Sequence, residues 1–590
     1  MKKIYEELKL IVKIFKTSHK FDYKITIYEI FTGLCINLRI ILNVIMPAHI
    51  VDLIVSREEW KRVLFVAIFY GLTICILECG EKSFKLLQEA HGFKACNLFR
   101  LSMNKKFMKI DYQDTENKEV IDAFEQAKES MWEFTDVGYV ILIDILGSLL
   151  TFICMSYIII NVNPLLYIIV LIMIFINTKI QYSKNALQHE SEKKERVIEK
   201  KMEYVSNLMQ DYSAGKEIRL YNLKNFFLNK LLEVGKSYRN QIKYKEMKIL
   251  KLSFFQNVIY LIELLIIYIV ALVEYKNGNL KIGSFLMYTA AIIELTSCVQ
   301  NLLDAIIELS KVSFYYKDYQ KYMEIPEKMR MTGNIQSEEE TWKIDIENVS
   351  YTYPGSDKEA VNSISFSIDK NEKVAIVGEN GSGKSTLIKL LLRLYEPTKG
   401  RILLNGIDIR DYEYDSYLNI FSSVFQDFMI FSYSILENLV FDRNVDQNKL
   451  DYLLKKVNLK DTINKYPNGI NSMVGKELAD DGVIMSGGEK QLLAFVRSLY
   501  KGSNTFTFDE PTAALDPIKE ANIYRLINDM TTNHISVFCS HRMSSTIFCD
   551  KIIVLKNGKV IECGKHDELM KKNGTYYSMY ENQANLYITK

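Results

Sequence analysis

Several features are scarce in this chain of 590 residues, and each scarcity excludes a class of protein. Proline numbers 8 and glycine 26, and no low-complexity tract occurs, so a disordered or collagen-like chain is excluded. The nine cysteines form no Cys-x-x-Cys pair and no Cys/His metal spacing, which favours buried thiols in a reducing compartment over a disulfide or zinc framework. The net charge is only +2, so the composition indicates no nucleic-acid partner.

Long apolar runs are present, and all of them lie before about residue 310. A helix needs about 20 predominantly apolar residues to cross the hydrocarbon core of a bilayer. We therefore predict an α-helical transmembrane domain over 23–315, preceded by a cytoplasmic N-terminal helix over 1–22. Its predicted spans cover about 25–55, 60–81, 137–161, 164–181, 253–275 and 282–308.

Positive charge is distributed unevenly among the connections between these spans. The connections after the second and the fourth span are long, rich in lysine and arginine, and keep apolar residues at helical spacing. By the positive-inside rule, the N-terminus, both long connections and the C-terminal half lie in the cytoplasm, with helices extending out of the membrane. The alternative is a series of long buried helices in a soluble protein, which explains neither this asymmetry nor a fourth span that is apolar on all faces.

From about residue 343 the sequence changes to the pattern of an α/β domain. Short apolar strands alternate with helical stretches, and two Asn-Gly pairs, at 405–406 and 557–558, predict tight hairpin turns. We therefore predict a linker over 316–342 and, over 343–585, an α/β P-loop NTPase cassette with an antiparallel β subdomain.

The most specific motif is a glycine-rich loop between a predicted strand and a predicted helix. It matches the pattern G-x-x-x-x-G-K-[ST], in which backbone N–H groups and a helix N-terminus face the phosphates of a nucleotide. Lys384 is expected to reach the outer phosphates, and the Ser385 hydroxyl to ligate Mg²⁺. The predicted ATP-binding residues of this loop are Gly378, Glu379, Asn380, Gly381, Ser382, Gly383, Lys384, Ser385 and Thr386.

An apolar strand that ends in two acids follows about 125 residues later. Asp509 suits the Mg²⁺ shell, and Glu510 suits the base that polarises the attacking water. Such a strand is a weak signal alone, since many strands end in solvated acids. Together with the phosphate loop it predicts a site that binds and hydrolyses ATP with Mg²⁺.

The segment MSGGEKQ, which begins at Met485, resembles the signature of the ATP-binding cassette exporters, usually Leu-Ser-Gly-Gly-Gln. With it, nearly the whole chain resembles a half-transporter in which six membrane helices are fused to one cassette. The resemblance implies that the motif caps ATP held by the opposite subunit, and Glu489 departs from the usual glutamine. The residues assigned to this role are Ser486, Gly487, Gly488 and Glu489.

Four further residues match positions of that family. Tyr353 resembles the aromatic residue that stacks on adenine, and Gln426 resembles the glutamine that senses Mg²⁺ and water. Asp516 matches the loop that crosses the dimer interface, and His541 resembles the switch histidine on the γ-phosphate. The resemblance thus implies ATP and Mg²⁺ as cofactors and Glu510 with His541 as catalytic residues.

One chain carries one phosphate loop and one signature motif, so the resemblance implies an active dimer, either of two copies or with a related chain. Segments 111–114 and 215–221 are expected at cytoplasmic turns that rest on the cassettes. The implied activity is ATP-driven export across a membrane, expected to be a bacterial plasma membrane with the cassette in the cytoplasm. The expected partners are the second half-transporter, membrane lipid and the transported substrate.

Acids within the apolar spans indicate the charge of the transported substrate, the cargo. Asp144, Glu263 and Glu294 lie within or near the ends of spans, where an acid is costly and usually faces a cavity or a partner. We hypothesise that at least one lines a pathway for a cationic or amphipathic cargo such as a peptide, drug or lipid. The alternatives are interhelical pairing, for which Arg39 is a candidate, or a helix end near the headgroups.

Other functions have different requirements. A soluble cassette protein acting on ribosomes or DNA would lack the apolar spans. A non-pumping relative that uses ATP to gate a channel or sense a ligand is disfavoured by Glu510, because a gate needs binding more than turnover. An exporter-fold importer of small chelates stays open, since nothing in the sequence gives the direction directly.

Overall fold

The computed structural model describes residues 12–588, with gaps at 15, 18, 133–137, 163, 279, 338–341, 442–444, 512–516 and 541. The chain forms two compact units that are discontinuous in sequence. The first comprises Met1–Phe107 with Asp122–Glu324, and the second comprises Met108–Ile121 with Ile325–Lys590. A short piece of the N-terminal half, 108–121, therefore belongs to the same unit as the C-terminal half.

Long helices build the first unit, as the apolar runs and the charged helical connections predict. A helix satisfies its own backbone hydrogen bonds, which is why apolar runs of this length fold as helices. In chain order the helices up to Met323 are α1 (Tyr23–Val55), α2 (Trp60–Phe107), α3 (Tyr112–Thr115), α4 (Lys118–Trp132), α5 (Gly138–Val162), α6 (Pro164–Gln210), α7 (Gly215–Leu220), α8 (Lys224–Lys276) and α9 (Ile282–Met323). Of these, α3 lies in the segment 108–121 and therefore belongs to the second unit.

Five of the described helices are long and apolar enough to cross a membrane. They are α1, α2 and α8, with Ile143–Asn161 of α5 and Ile282–Ile306 of α9, and they coincide with the predicted spans other than the fourth. That fourth span, 164–181, opens α6, whose apolar stretch gives way to polar residues from Asn177 onward. A total of six spans therefore stays a prediction, whereas the long charged connections are helical, as expected.

Helices α1 and α9 approach each other closely at the start of α9. A Cβ atom on Gly283 would lie 2.2 Å from the carbonyl oxygen of Ala48, so only glycine fits at this distance. The Gly283 N–H donates to Asp52 Oδ1 at 2.7 Å. Further along α9, Ala291 and Leu295 are fully buried, so this helix contributes to the core of the unit.

The second unit contains two β-sheets, which agree with the predicted α/β cassette and antiparallel subdomain. One sheet is antiparallel with the order β2-β1-β4-β5, and the other has the order β10-β9-β3-β8-β7-β6 and is parallel except for its β9–β10 pair. The strands are β1 (Ile344–Thr352), β2 (Glu359–Ile368), β3 (Lys373–Gly378), β4 (Lys399–Leu404), β5 (Ile407–Asp408), β6 (Phe421–Val424), β7 (Thr505–Asp509), β8 (Ile535–Cys539), β9 (Lys551–Lys556) and β10 (Lys559–Gly564).

Both faces of the larger sheet are buried. In β3, Val374 and Ile376 belong to one apolar core, and Ala375 and Val377 belong to another. Parallel strands joined through helices need a cover on both faces, which is why β3 and β8 are mostly apolar and why all five residues of β7 are buried. Because β3, β8 and β7 run parallel as neighbours, the segments that follow them meet at one edge of the sheet.

The helices that follow α9 are α10 (Lys328–Met331), α11 (Lys384–Leu391), α12 (Tyr414–Asn419), α13 (Ile435–Leu439), α14 (Gln447–Lys456), α15 (Lys460–Asn464), α16 (Gly487–Lys501), α17 (Pro517–Met530), α18 (His566–Lys572) and α19 (Thr575–Ile588).

Both Asn-Gly pairs form the predicted hairpin turns. Asn405 and Gly406 join β4 to β5 with φ angles of 50° and 80°, and Asn557 and Gly558 join β9 to β10 with φ angles of 49° and 76°. A two-residue turn of this type requires positive φ at both positions, which asparagine and glycine tolerate best.

The first unit ends later than the predicted start of the linker. Helix α9 continues to Met323, inside the predicted linker 316–342. Beyond it, α10 is tied into the second unit by Arg393, which is fully buried. Arg393 Nη1 donates to the carbonyl oxygen of Tyr412 at 2.8 Å, and Nη2 donates to that of Met329 at 3.0 Å. Part of the predicted linker is therefore packed structure.

Replacing Arg393 by methionine should destabilise this unit. The substitution removes the hydrogen bonds from the guanidinium to the carbonyl oxygens of Tyr412 and Met329, and a hydrogen bond that involves a charged group contributes about 1.5–3 kcal/mol. We expect the thermal unfolding midpoint of the cassette in the full-length protein to fall by about 5 °C or more, as measured by scanning calorimetry. Arg401→Met is the control, because Arg401 is exposed and pairs with Glu347. An equal loss in both variants would contradict the role given to Arg393.

Candidate functional site

The glycine-rich loop connects the end of β3 to the start of α11, as predicted. Gly381 and Gly383 have φ angles of 76° and 104°, which favour glycine. A Cβ atom on Gly383 would lie 2.6 Å from the carbonyl oxygen of Ala360, so this position also lacks space for a side chain. The loop therefore presents backbone at the N-terminus of α11, where N–H groups have no partner within the helix.

Lys384, the first residue of α11, is 5% exposed. Its Nζ donates to the carbonyl oxygens of Gly378 and Glu379 at 3.0 and 3.1 Å, so the ammonium group lies against the loop. Burial lowers the pKa of the Lys384 ammonium, while the charges of Glu510 and Asp509 oppose this shift. A buried cation beside these acids is suited to the charge of phosphate oxygens.

Two buried polar atoms at this edge have no hydrogen-bond partner among the residues that the structure describes: Ser382 Oγ and Asp509 Oδ1. A buried polar atom without a partner costs about 1–3 kcal/mol, and a ligand that bonds to it removes this cost. A hydroxyl group suits a phosphate oxygen, and a carboxylate oxygen suits Mg²⁺. The residues present therefore fit a nucleotide with its divalent cation.

Asp509 ends β7 and is 6% exposed. Burial raises the pKa of its carboxyl group and the charge of Glu510 adds to this, whereas a hydrogen bond with Ser385 and the charge of Lys384 oppose it. The structure thus brings together the two residues that the sequence assigns to Mg²⁺ from the loop and the strand.

Glu510 follows Asp509 and turns out of the strand. Its φ angle is 49°, and its backbone N–H donates to the carbonyl oxygen of Cys539 at 3.0 Å. Gln426, which follows β6, donates from Nε2 to Glu510 Oε2 at 3.0 Å. A positive φ is unusual for glutamate, so the fold holds this side chain in a specific place beside the loop.

Tyr353, which follows β1, is half-buried beside the same helix. Its hydroxyl group lies 2.9 Å from Thr386 Oγ1 in a hydrogen bond. Its ring makes edge contacts with Tyr351 and Tyr395, at centroid distances of 5.2 and 5.7 Å. The structure therefore brings the predicted adenine-stacking residue to the phosphate loop.

The signature motif opens α16. Ser486 Oγ donates to Glu489 Oε2 at 2.8 Å, and the N–H groups of Ser486 and Glu489 complete a capping box. The departure from the usual glutamine thus has a local structural role, because a carboxylate is favourable at a helix N-terminus. Among the described residues, neither side chain hydrogen-bonds to the phosphate loop.

Two predicted residues, Asp516 and His541, lie outside the described residues. The neighbouring residue Arg542 forms an ion pair with Glu520 of α17. Its backbone N–H donates to Ser540 Oγ at 2.9 Å.

The sequence does not predict the specific contacts that the segment 108–121 makes within the second unit. Asp111 accepts a hydrogen bond from the Met329 N–H at 3.2 Å, and Glu116 Oε2 accepts one from the Tyr395 hydroxyl at 2.6 Å. The packing agrees with the expectation for 111–114, but the partners are 218 and 279 positions away, and no local pattern identifies them.

The three acids that the sequence places in apolar spans have two different environments in the structure. Asp144 and Glu294 line a cavity of about 440 Å³, together with Asp304 and Glu308. Glu263 is 2% exposed and accepts a hydrogen bond from Thr296 at 3.0 Å. The cavity is also lined by Gly33, Ile36, Asn37, Ile40, Ile141, Gly147, Ser148, Thr151, Cys298, Asn301 and Ala305.

Arg39, the candidate partner for Asp144, Glu263 or Glu294, does not pair with any of these three acids in the structure. Arg39 Nη2 lies 2.8 Å from Glu81 Oε2, so this arginine pairs with a different acid.

Comparison with known proteins agrees with this geometry. A family profile described as ABC transporter matches residues 361–513. The subtilin transport ATP-binding protein SpaT of Bacillus subtilis is 29% identical over 599 residues, which cover 99% of this chain and 94% of that protein. The mitochondrial iron-sulfur clusters transporter ATM1 of Saccharomyces cerevisiae is 32% identical over 371 residues, which cover 61% of this chain. The chain spans about half of that relative, 52% of its length.

A solved structure of a bacterial Atm1-family ABC exporter with ATP bound has a similar fold. The TM-score is 0.77 at 20% sequence identity, over 96% of this chain and 98% of that one. Residues 361–513 thus form an ABC transporter domain, and the whole chain has the fold of an ABC exporter. Its apolar helices and its similarity to SpaT over nearly the full length support a membrane protein in which ATP hydrolysis is coupled to transport.

The contacts of Tyr353 predict how its ring and its hydroxyl group contribute to ATP binding. Tyr353→Ala should raise the Kd for ATP about tenfold, because stacking of a base on an aromatic ring contributes about 1–3 kcal/mol. Tyr353→Phe keeps the ring and should change the Kd less than about threefold, although it loses the bond to Thr386. Equilibrium binding of a fluorescent ATP analogue, with unlabelled ATP as competitor, measures both. Equal losses in the two variants would argue against stacking.

Proposed function

We propose that this chain forms half of a dimeric pump that moves an amphipathic, cationic cargo outward across a bacterial plasma membrane at the expense of ATP. The observation that carries the proposal is the position of Glu510, held by Gln426 at the edge of the sheet where the phosphate loop begins. A protein that binds ATP without hydrolysing it has no need of a base at this edge of the sheet.

In the proposed nucleotide site, the loop 378–386 binds the phosphates of ATP, with Ser382 Oγ and Lys384 Nζ facing the charge and Tyr353 stacking on adenine. Ser385 and Asp509 hold Mg²⁺, with Gln426 beside them, and the bound cation supplies positive charge against the phosphate oxygens. The unpartnered atoms of Ser382 and Asp509 support these assignments.

The proposed role of Glu510 is to accept a proton from the water that attacks the γ-phosphate. Gln426 donates to Glu510 Oε2 at 3.0 Å, and this bond orients the carboxylate that is proposed to act as the base. His541 is proposed as the residue that binds the γ-phosphate from the segment after β8, and Asp516 as part of the interface between cassettes. Release of the γ-phosphate removes contacts that favour the closed pair, so ATP drives the cycle through its different affinity for two states.

The proposed second chain follows from the resemblance to a family in which the signature completes the site of the opposite cassette, since this chain carries one phosphate loop and one signature motif. We assign Ser486 and the N–H groups of Gly487, Gly488 and Glu489 to the γ-phosphate in the partner's site. The capping box orients the first turn of α16 for this contact. At the α7 turn, Tyr212 and Leu220 are 95% and 78% exposed and offer an apolar surface for a partner's cassette.

The acidic cavity supports a cationic group on the cargo. Asp144 and Glu294 lie on different helices, α5 and α9, and face one space with Asp304 and Glu308. Carboxylates between helices are costly unless cations or polar groups offset them. The lysines and arginines of the long connections support a cytoplasmic position for the cassette. The proposed outward direction rests on the similarity of the fold to an ABC exporter.

Glu510→Gln should abolish turnover while ATP binding is retained. Loss of a positioned base lowers the rate by about 10²–10⁴-fold. The measurement is phosphate release by the full chain in lipid nanodiscs. The control is Glu347→Gln, because Glu347 is a partly exposed acid on β1 that pairs with Arg401. Normal turnover by Glu510→Gln would refute the assigned role. No turnover from the well-folded parent chain would indicate a missing partner chain or a gating function without hydrolysis.

Asp144→Asn and Glu294→Gln should reduce transport of a cationic peptide relative to its uncharged analogue. We expect a change of about three- to tenfold, the effect of losing roughly 1 kcal/mol of charge pairing. Uptake into inside-out vesicles measures both cargoes. Glu263→Gln is the comparison, because Glu263 is bonded to Thr296 and we expect a smaller effect there. Equal transport of both cargoes in all three variants would refute a cationic pathway.

A further inference from the structure

The capping box that opens α16 places a carboxylate against donors that the proposed function assigns to a phosphate. Glu489 Oε2 accepts two hydrogen bonds from Ser486, one from its N–H at 2.7 Å and one from its hydroxyl group at 2.8 Å. The Glu489 N–H donates in return to Ser486 Oγ at 3.3 Å. One anionic oxygen therefore already holds both donors of Ser486.

The hydroxyl group of Ser486 cannot serve two anions at once. A serine hydroxyl has one hydrogen, so it donates either to Glu489 or to a γ-phosphate. A phosphate that takes this hydrogen leaves Glu489 Oε2 with one donor fewer. Gly487 and Gly488 differ, because they lie in the first turn of α16, where N–H groups have no acceptor within the helix. The competition with Glu489 therefore concerns Ser486.

The charge of Glu489 adds to this competition. Within the part of the chain that the structure describes, no lysine or arginine forms an ion pair with Glu489. Its carboxylate is offset by the donors of Ser486 and by the positive N-terminus of α16. A γ-phosphate at the same turn is a second anion at that N-terminus. The two anions repel each other, and the repulsion strengthens as water leaves a closing interface.

We infer that Glu489 is a positioning residue that holds the Ser486 hydroxyl away from the γ-phosphate in the partner's site, and thereby lowers the affinity of the closed pair for ATP. The inference rests on the proposed contact between the signature and that phosphate. ADP has no γ-phosphate, so the effect is specific to ATP. The glutamine that is usual at this position has no charge, and its Nε2 can donate to Ser486 Oγ, which leaves the hydroxyl hydrogen for the phosphate.

Glu489→Gln isolates this effect, because it removes the charge and keeps a side chain that can complete a capping box. Glu437→Gln is the matched control, since α13 opens with an equivalent box. The N–H and the hydroxyl group of Ser434 donate to Glu437 Oε2 at 2.9 and 2.6 Å, and the Glu437 N–H donates to Ser434 Oγ at 3.1 Å. Both variants lose one charge at a helix N-terminus, but only Glu489→Gln changes the signature.

The test measures the Kd for ATP and for ADP, each with Mg²⁺, by displacement of a fluorescent ATP analogue. The protein is the full chain in lipid nanodiscs, in the Glu510→Gln background that retains ATP. We expect Glu489→Gln to lower the Kd for ATP by about three- to tenfold, the effect of one hydrogen bond, and to leave the Kd for ADP unchanged. Glu437→Gln should change neither value. Ser486→Ala, which removes the hydroxyl group, should raise the Kd for ATP.

An unchanged Kd for ATP in Glu489→Gln would overturn the inference, and so would an equal fall for ATP and ADP or an equal fall in Glu437→Gln. If Ser486→Ala also left the Kd for ATP unchanged, the proposed contact of the signature with the γ-phosphate would fail with it. A parent chain that binds neither nucleotide would overturn the proposed nucleotide site itself. The Kd for ADP also checks that each variant keeps a folded cassette.

Discussion

The cassette depends on a constraint at one edge of its larger sheet: polar groups are buried there for a ligand and not for the fold. Ser382 Oγ and Asp509 Oδ1 lack partners among the described residues, and Lys384 is buried against backbone carbonyls beside two acids. Such a site destabilises the protein that contains it. The fold tolerates it because both faces of the sheet are covered by apolar cores, so the stability of the unit comes from residues that the site does not use.

What the sequence predicts well is what is encoded locally. Gly383 must be glycine for its backbone conformation and for space, and Asn405 with Gly406 must accept positive φ, so these positions are recognisable without any structure. The apolar strands that end at the site are recognisable for a similar reason, since burial on both faces requires apolar residues throughout. The parallel order of the strands then brings Asp509 to the loop, and this too follows from pattern and topology.

What the sequence does not predict depends on partners far along the chain or on the space between helices. The cavity contains Asp144 and Glu294 but not Glu263, and hydropathy gives no means to separate them because all three lie in similar apolar surroundings. Arg393 is another example, as its acceptors are backbone carbonyls, which any sequence offers. The capping role of Glu489 is different, because its spacing of three residues from Ser486 encodes it locally, while the family resemblance implies only phosphate binding.

The inclusion of 108–121 in the second unit has a consequence for synthesis of the protein. Glu116 and Tyr395 are 279 positions apart, and a ribosome that adds about 5–20 residues per second needs roughly 15–55 s to pass from one to the other. During that interval Asp111, Tyr112 and Glu116 have been made but their cassette partners have not. The cassette therefore cannot finish folding as an independent C-terminal domain. Its packing includes a segment that is made much earlier, next to α2, so a fault in the membrane insertion of that helix would also affect the folding of the cassette.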